Sequence, residues 1–526
     1  MGNTIIEYLK KTEEKYPYKT AFIEGNRRIT FKELFDLSKK AAAFFIEKGV
    51  FKEPVILNIK SKIDTVILFI SIIESGNFYI PIDNNLSFEM KKEIIKKSKA
   101  RIMVTSFEKE KKRVSFENLK ECVEIFDIND ILNSKFLIKS TLEKIKPEDT
   151  MYVIYTSGSV SEPKGVEVAH NSVISYIKEL TKVLKVNENT IFGCQSPLFY
   201  DAPIKEIYGT IFKGATTVFI PKQYFSYPTK LIDLMNEEKI NMICWVSSSL
   251  SIMERLDAFK EKKPCYLRTI AFGSENLSIK TLNYWRKHFN AARFLNLYGP
   301  TECTGMSTYY ELKDDFKSDI IPIGKPFSDT KVWILNEDFE EVKKGEIGEI
   351  GEIYIGGKGV AKGYFKNNKK TNEVFLKNIY GLRTDKLCTA CNDKIDKADN
   401  EKLYTGRIYK TGDIGKIDSK GNILFLGRKD NEIKYMGHKI SLEEIDRIAC
   451  MIPSITRAGS VYDKDKNTLM LIFDGDLDEI EVKTILLRKL PKYMIPKRII
   501  KSSDIPMRTN GKIDRRELLK RYAKHV

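Results

Sequence analysis

The chain has 526 residues, 42% of them hydrophobic, which is enough for a large core and more than one domain. Its formal net charge is +17, and its eight cysteines are thinly scattered, which excludes a disulfide-stapled scaffold. Met1 to Lys11 is too short and too polar for a secretory leader, and no run reaches the roughly 20 apolar residues of a membrane span, so a soluble cytoplasmic protein is expected.

Residues 1 to 50 read as helices around a short hairpin. Thr30-Phe-Lys-Glu-Leu opens a capped amphipathic helix that runs to Lys48. Val55 to Ile59 is strand-like, Asp64 to Ser75 is an apolar helix closed by Gly76, and Phe78 to Ile82 is a second strand. This β–α–β rhythm predicts a parallel sheet covered by helices. Lys91 to Arg113, the densest basic cluster, reads as a solvated helix followed by a loop. Nucleic acid is one partner class for so basic a chain. The lysines, however, are spread along the whole sequence with glutamates between them. An acidic protein partner serves equally well, and a Lys/Ile-rich composition alone also gives a basic surface.

Met151 to Val168 reads Met-Tyr-Val-Ile-Tyr-Thr-Ser-Gly-Ser-Val-Ser-Glu-Pro-Lys-Gly-Val-Glu-Val. An apolar strand runs into a Gly/Ser/Thr loop, and a second β-prone run follows. Gly158 allows a sharp turn. The hydroxyls of Thr156, Ser157 and Ser159, the loop N–H groups and the Lys164 ammonium together can cradle a polyphosphate. The loop lacks the order of a Walker A sequence, and Ser/Gly loops are often only turns.

The alternation then continues. Helices are predicted near Ser172–Leu184, Pro228–Glu238 and Leu250–Phe259, with strands at Thr217–Ile220, Asn241–Val246 and Thr269–Phe272. Trp333–Leu335 and Glu352–Ile355 are β-like, with glycine-rich turns. Tyr380 to Thr405 is polar and unpatterned and reads as a surface insertion. It contains Cys388 and Cys391, which form half a metal site, a redox pair or incidental loop cysteines. Beyond Gly427 come short strands and helices at Leu442–Cys450 and Glu479–Leu490, roughly 100 residues in all and enough for a small α+β domain.

Four further motifs follow the loop in order: Asn296-Leu-Tyr-Gly-Pro-Thr-Glu302, Tyr409-Lys-Thr-Gly-Asp413, Gly427-Arg-Lys-Asp430 and Asn510-Gly-Lys-Ile-Asp514. The ordered set resembles the adenylate-forming superfamily of acyl-CoA synthetases, luciferases and amino-acid adenylation domains, over roughly residues 20 to 520. In length, in Ile-Cys-Trp-Val-Ser-Ser-Ser and in having no attached carrier domain, the chain is similar to stand-alone D-alanine–D-alanyl carrier protein ligases. The resemblance implies an α/β fold. A large N-terminal domain, residues 1–429, would hold sheet-and-helix subdomains and a barrel-like part. A small mobile α+β C-terminal domain, residues 430–526, would carry the catalytic lysine.

The resemblance also implies ATP and Mg²⁺ as cofactors. A substrate carboxylate attacks the α-phosphorus of ATP and pyrophosphate leaves, so two anions must meet and cations are needed. By motif position, Lys512 and Lys164 are the catalytic cations, and Glu302 positions Mg²⁺. Thr156, Ser157, Ser159 and Thr301 contact phosphates, and Gly299 and Phe425 belong to the ATP-binding set. Tyr298 stacks on the adenine, and Asn296 meets its edge. Asp413 accepts from the ribose hydroxyls and Arg428 contacts ribose or phosphate. Asp430 matches the hinge, or it is a turn aspartate in a hairpin. Val160 and Ser161 stand where a hydroxyl residue and a glycine are commoner, so the phosphate geometry departs in detail.

Phe199-Tyr-Asp201-Ala202 matches the segment where amino-acid adenylation domains pair an aspartate with the substrate α-ammonium. Asp201 alternatively caps a helix before Ala202-Pro203. Ala202, Lys205, Trp245, Ile270, Phe272, Leu297, Gly305 and Met306 match the remaining pocket positions, and the large ones imply a small cavity. Lys205 either points away or contacts an acidic side chain. The function implied is activation of a small amino acid such as D-alanine. Transfer then follows to the phosphopantetheine thiol of a separate acidic carrier protein. An acyl- or aryl-acid:CoA ligase is the alternative within enzymes, and a catalytically dead binding protein is the alternative outside them. Nucleic acid is not expected as a partner, because the resemblance favours the carrier.

Overall fold

The computed structural model describes residues 4–86, 88–106, 119, 122–133, 144–156, 164–343, 345, 349–377, 406–429, 432–435, 438–463, 466, 468–490, 494–508 and 511–522. Thr30 ends a hairpin (Thr20–Glu24, Arg27–Thr30) and caps the helix Phe31–Glu47. Its hydroxyl accepts from Glu33 N at 3.2 Å, and the Glu33 carboxylate accepts from Thr30 N at 2.8 Å, a reciprocal capping box. The apolar helix Lys62–Glu74 is buried from Ile63 and Thr65 onward, because it lies among other elements rather than on the surface.

Seven strands form one sheet, in the order Gly363–Tyr364, Lys164–Ala169, Thr150–Thr156, Phe78–Pro81, Pro54–Asn58, Ile102–Thr105 and Glu124–Asp127. Its centre is parallel, as the β–α–β rhythm predicts. The strand Ile102–Thr105 corrects the reading of Lys91 to Arg113 as helix and loop alone. All four of its residues are buried, and it pairs parallel to Pro54–Asn58. A four-residue apolar run inside a basic stretch carries too little periodicity to be seen without its neighbour.

A nine-stranded sheet runs Lys325–Pro326, Thr308–Glu311, Arg293–Tyr298, Thr269–Gly273, Met242–Val246, Ile191–Cys194, Thr216–Phe219, Thr20–Glu24 and Arg27–Thr30. The N-terminal hairpin thus completes the edge of a sheet formed mostly from later strands. One hydrophobic core joins the two sheets, and within it the hydroxyls of Tyr79 and Tyr208 meet at 2.9 Å. The barrel-like part is a five-stranded antiparallel sheet of Thr330–Leu335, Gly351–Gly357, Arg407–Ile417, Phe375–Lys377 and Ile423–Arg428.

The small C-terminal domain has its own core, in which Ile445, Leu469, Leu471, Phe473, Val482 and Leu486 are fully buried. Strands Ile455–Asp463, Thr468–Gly475 and Arg498–Lys501 form a sheet flanked by the helices Leu442–Cys450, Glu479–Lys489 and Arg515–Tyr522. An Arg515–Asp446 ion pair at 2.6 Å ties the last helix to the first of these. Among the described residues no helix is long and apolar enough to cross a membrane.

Candidate active site

The strand Arg293–Tyr298 ends in a tight turn whose glycine is sterically required. A Cβ on Gly299 would stand 1.9 Å from the Gly305 carbonyl oxygen. This turn aims the Tyr298 hydroxyl at Asp413, where it donates to Oδ2 at 2.5 Å. From the five-stranded sheet, Arg428 lies opposite Asp413 across two strands. Its Nη1 donates to Asp413 Oδ1 at 2.9 Å and to Thr411 O at 3.2 Å. Burial pushes the Asp413 carboxyl up to about 6, against the opposing pull of Arg428, Tyr298 and Lys512. The Phe425 ring lies 6.0 Å from that of Tyr298, tilted by 39°. The Asn296 amide donates to Pro322 O at 2.8 Å.

Glu302 sits on the single 3-10 turn Thr301–Cys303. Tyr364 donates its hydroxyl to Glu302 Oε1 at 2.8 Å, and Tyr409 stands beside both. Lys164 begins the strand after the phosphate loop, pairs in register with Thr156, and holds its Nζ 5.4 Å from the Tyr364 ring centre. Tyr364 therefore joins the loop lysine to the candidate metal acid. Among the described residues no group of three or more His, Cys, Asp or Glu side chains surrounds a metal position. A single carboxylate beside a phosphate site suits Mg²⁺, which keeps waters and takes further oxygens from phosphates. Ser157 to Pro163, including Gly158, Ser159, Val160 and Ser161, lie outside the described residues, as does the side chain of Thr156.

Asp201 precedes the helix Ile204–Lys213, and its carboxyl is held above its ordinary range by burial, moderated by the Thr301 hydroxyl and Lys205. Ala202, Lys205, Trp245, Phe272, Leu297 and Met306 line one cavity, together with Cys244 and Gly273. Its volume is about 10 Å³, room for one water. Trp245 donates its indole N–H to Gly193 O at 2.8 Å and packs edge-on against Phe225 and Trp285, so this wall is rigid.

Lys205 is buried. Its Nζ donates to Ala202 O at 2.6 Å and pairs with Glu206 at 3.4 Å. Burial alone would lower this ammonium, but Glu206, Asp201 and the neighbouring thiols together outweigh it and the ammonium is raised. Three predicted pocket residues do not stand on the cavity wall: Asp201, Ile270 and Gly305. Asp201 adjoins the wall residue Ala202 and turns its carboxyl to Thr301 and Lys205. Ile270 is fully buried in the core of the nine-stranded sheet. Gly305, at φ +114°, backs onto the Tyr176 ring.

Lys512 comes from the C-terminal domain. Arg508 N donates to Lys512 O at 2.7 Å and Gly511 N to Arg508 O at 2.9 Å, which closes a tight turn with Gly511 at φ +85°. A Cβ on Gly511 would meet Ser248 Oγ at 2.8 Å and Glu275 Oε1 at 2.9 Å, both on the large domain. The Lys512 turn is thus pressed onto the large domain, where its charge acts on Asp413. Asp430, with Cys388 and Cys391, lies outside the described residues.

Three site residues escaped the sequence reading. Tyr364 lies in no quoted motif. Glu206 follows a matched residue, and Glu275 follows Phe272-Gly-Ser, a strand end with turn residues. That strand-end position was the available signal for Glu275.

Residues 9–365 match the AMP-binding enzyme family. The D-alanine–D-alanyl carrier protein ligase of Bacillus licheniformis is 28% identical over 98% of this chain and 98% of its own. Tyrocidine synthase 3 of Brevibacillus parabrevis is 26% identical over 98% of this chain, which spans only 8% of that protein's length. Among solved structures, ATP-bound MatB from Rhodopseudomonas palustris superposes with a TM-score of 0.81 at 20% identity, covering 99% of both chains. The o-succinylbenzoate CoA synthetase of Bacillus subtilis with its acyl-adenylate gives 0.79 at 20% identity, covering 97% of both. With ordered motifs, a shared fold and a family match over more than half its length, the chain belongs to the AMP-binding enzymes, adenylate-forming ligases that use ATP with Mg²⁺.

Proposed function

We propose that this enzyme activates a small amino acid, such as D-alanine, as its acyl-AMP and passes it to the phosphopantetheine thiol of a separate carrier protein. The observation that carries the reading is Asp201, a buried carboxyl that meets Thr301 and Lys205 and precedes the cavity residue Ala202 in the chain. An α-ammonium there gains a charge-assisted bond that a fatty or aryl acid cannot offer. The small cavity between Trp245, Phe272 and Leu297 supports a short side chain. The full-length likeness to a D-alanine–D-alanyl carrier protein ligase supports a carrier in trans. The net charge of +17 suits an acidic carrier, whose encounter it would speed.

In this reading Asp413 and Arg428 orient the ribose, and Tyr298 stacks on the base with Phe425 near its ring. Asp201 fixes the amino group so that the carboxylate lines up with the α-phosphorus. A carboxylate oxygen forms the new bond to phosphorus as the bond to pyrophosphate breaks. Lys512 and Lys164 hold the charge that develops on phosphate and leaving group. Magnesium held at Glu302 would supply Lewis-acid stabilisation of the phosphates. The C-terminal domain, which we divide from the rest at residues 429/430, then rotates about Asp430. Lys512 withdraws, and the thiol attacks the acyl carbon with loss of AMP.

ATP–pyrophosphate exchange across a panel of amino, aryl and short fatty acids tests the reading. Exchange with a small amino acid is expected. Exchange with aryl or fatty acids alone would overturn the substrate class. Transfer to free CoA, with none to any carrier protein, would instead favour a CoA ligase.

A further inference from the structure

Glu275 stands just past the buried strand Thr269–Gly273, facing the place where the small domain sits. Its Oε2 accepts from Ser248 N at 3.2 Å, and the Glu275 carbonyl accepts from the Ser247 hydroxyl at 2.8 Å. Both partners open the helix Ser247–Arg255, so the carboxylate is anchored from one side to the large domain. On its other side lies the Lys512 turn. The space beside Gly511 is closed by Glu275 Oε1 and Ser248 Oγ, so no residue with a side chain fits there at its φ of +85°. Oε1 is buried and has no hydrogen-bond partner among the described residues. The charged groups acting on this carboxylate are Lys512 and Arg457, both from the small domain, and Arg255 stands beside Arg457. No motif of the mechanism above uses it.

We propose that Glu275 is a positioning residue, the large-domain carboxylate that seats the Lys512 turn over the nucleotide site for adenylation and releases it when the small domain rotates. The inference rests on the function proposed above, in which Lys512 acts in the first half-reaction only. The anchoring to Ser247 and Ser248 fixes the carboxylate before docking. The glycine brings the backbone of the turn against it, and Lys512 and Arg457 supply the attraction across the interface. Burial pushes the carboxyl up to about 7, opposed first by the Ser248 hydrogen bond and then by the Lys512 and Arg457 charges across the interface.

The test uses full-length Glu275→Gln, which keeps shape and the capacity to accept from Ser248 but removes the charge, beside Lys512→Ala and wild type. The first half-reaction is read as ATP–pyrophosphate exchange with the fastest member of the amino-acid panel. The second is read as transfer from the synthetic aminoacyl-AMP to free pantetheine. Glu275→Gln is expected to slow exchange on the order of 10–100-fold, as a misplaced catalytic group does. Transfer should stay within about twofold of wild type. Glu275→Gln combined with Arg457→Gln should lose less than the two single losses multiplied. Equal losses in both half-reactions would make Glu275 merely structural and overturn the proposal. Unchanged exchange in Glu275→Gln, with exchange lost in Lys512→Ala, would overturn the proposal alone. Unchanged exchange in Lys512→Ala would remove the reading on which it rests.

Discussion

Tyr298 donates its hydroxyl to Asp413, and Arg428 occupies the other oxygen of the same carboxylate. Asp413 is almost fully enclosed, and it sits where strands from the nine-stranded and five-stranded sheets converge. A carboxylate held by two donors before a ligand arrives is already oriented, which lowers the cost of binding ribose hydroxyls.

The pH dependence follows from that burial. Asp413 moves from its ordinary 3.8 up to about 6. Its proton is held more tightly in the folded state, so this group's contribution to stability is full below about 4 and is lost as the pH climbs through about 6. In the proposed ribose-binding role the sign for nucleotide is opposite, because only a carboxylate would accept from both ribose hydroxyls. ATP affinity should rise as pH increases from 5 to 7 and level off above. Asp413→Asn should bind weakly and flatten the profile. Calorimetric titration with ATP across this range checks it, and an unchanged slope in Asp413→Asn would assign the dependence to another group.

Tyr364 orients Glu302 through a hydrogen bond of 2.8 Å and lies under the Lys164 ammonium. Removing such an orienting partner typically costs about 10–100-fold in metal affinity or activity. Tyr364→Phe should therefore raise the Mg²⁺ concentration needed for half-maximal exchange and leave the fold intact. A magnesium titration at saturating ATP is the measurement. An unaltered magnesium midpoint would separate Tyr364 from the metal site.

Lys205 and Glu206 form a buried ion pair beside the acid pocket. Lys205→Met leaves Glu206 buried without its cation, a change of about 3–5 kcal/mol. Thermal unfolding should show a marked fall in Tm. Lys205→Met combined with Glu206→Gln should recover most of it. If the single variant is as stable as wild type, the pair contributes no net stability at this site.

Lys512→Ala should cut adenylation by several orders of magnitude, since a cation opposite the developing charge acts in that step alone. Thioester formation from pre-made adenylate should stay largely intact. Single-turnover pyrophosphate release measured beside carrier loading separates the two. Equal loss in both half-reactions would take Lys512 out of this role.

The sequence by itself determined the local elements and the chemical inventory. The Thr30–Glu33 capping box, the apolar helix ending at Gly76 and the strand–turn–strand rhythm are encoded within a few residues, because capping and side-chain periodicity are local. Asp201, Glu302, Asp413, Arg428 and Lys512 were legible because their residue types sit in short motifs at recognisable spacing. Tertiary structure decided the pairings. Periodicity says that a face is buried but not against what, so it could not set Thr20–Glu24 beside Thr216–Phe219. Nor could it reveal Ile102–Thr105, whose four residues become a strand through their neighbours in the sheet. The same limit hid Tyr364 behind Glu302 and Glu275 beneath Gly511. Each is an ordinary residue in its own segment, and its role exists only where packing brings distant strands and two domains to one place.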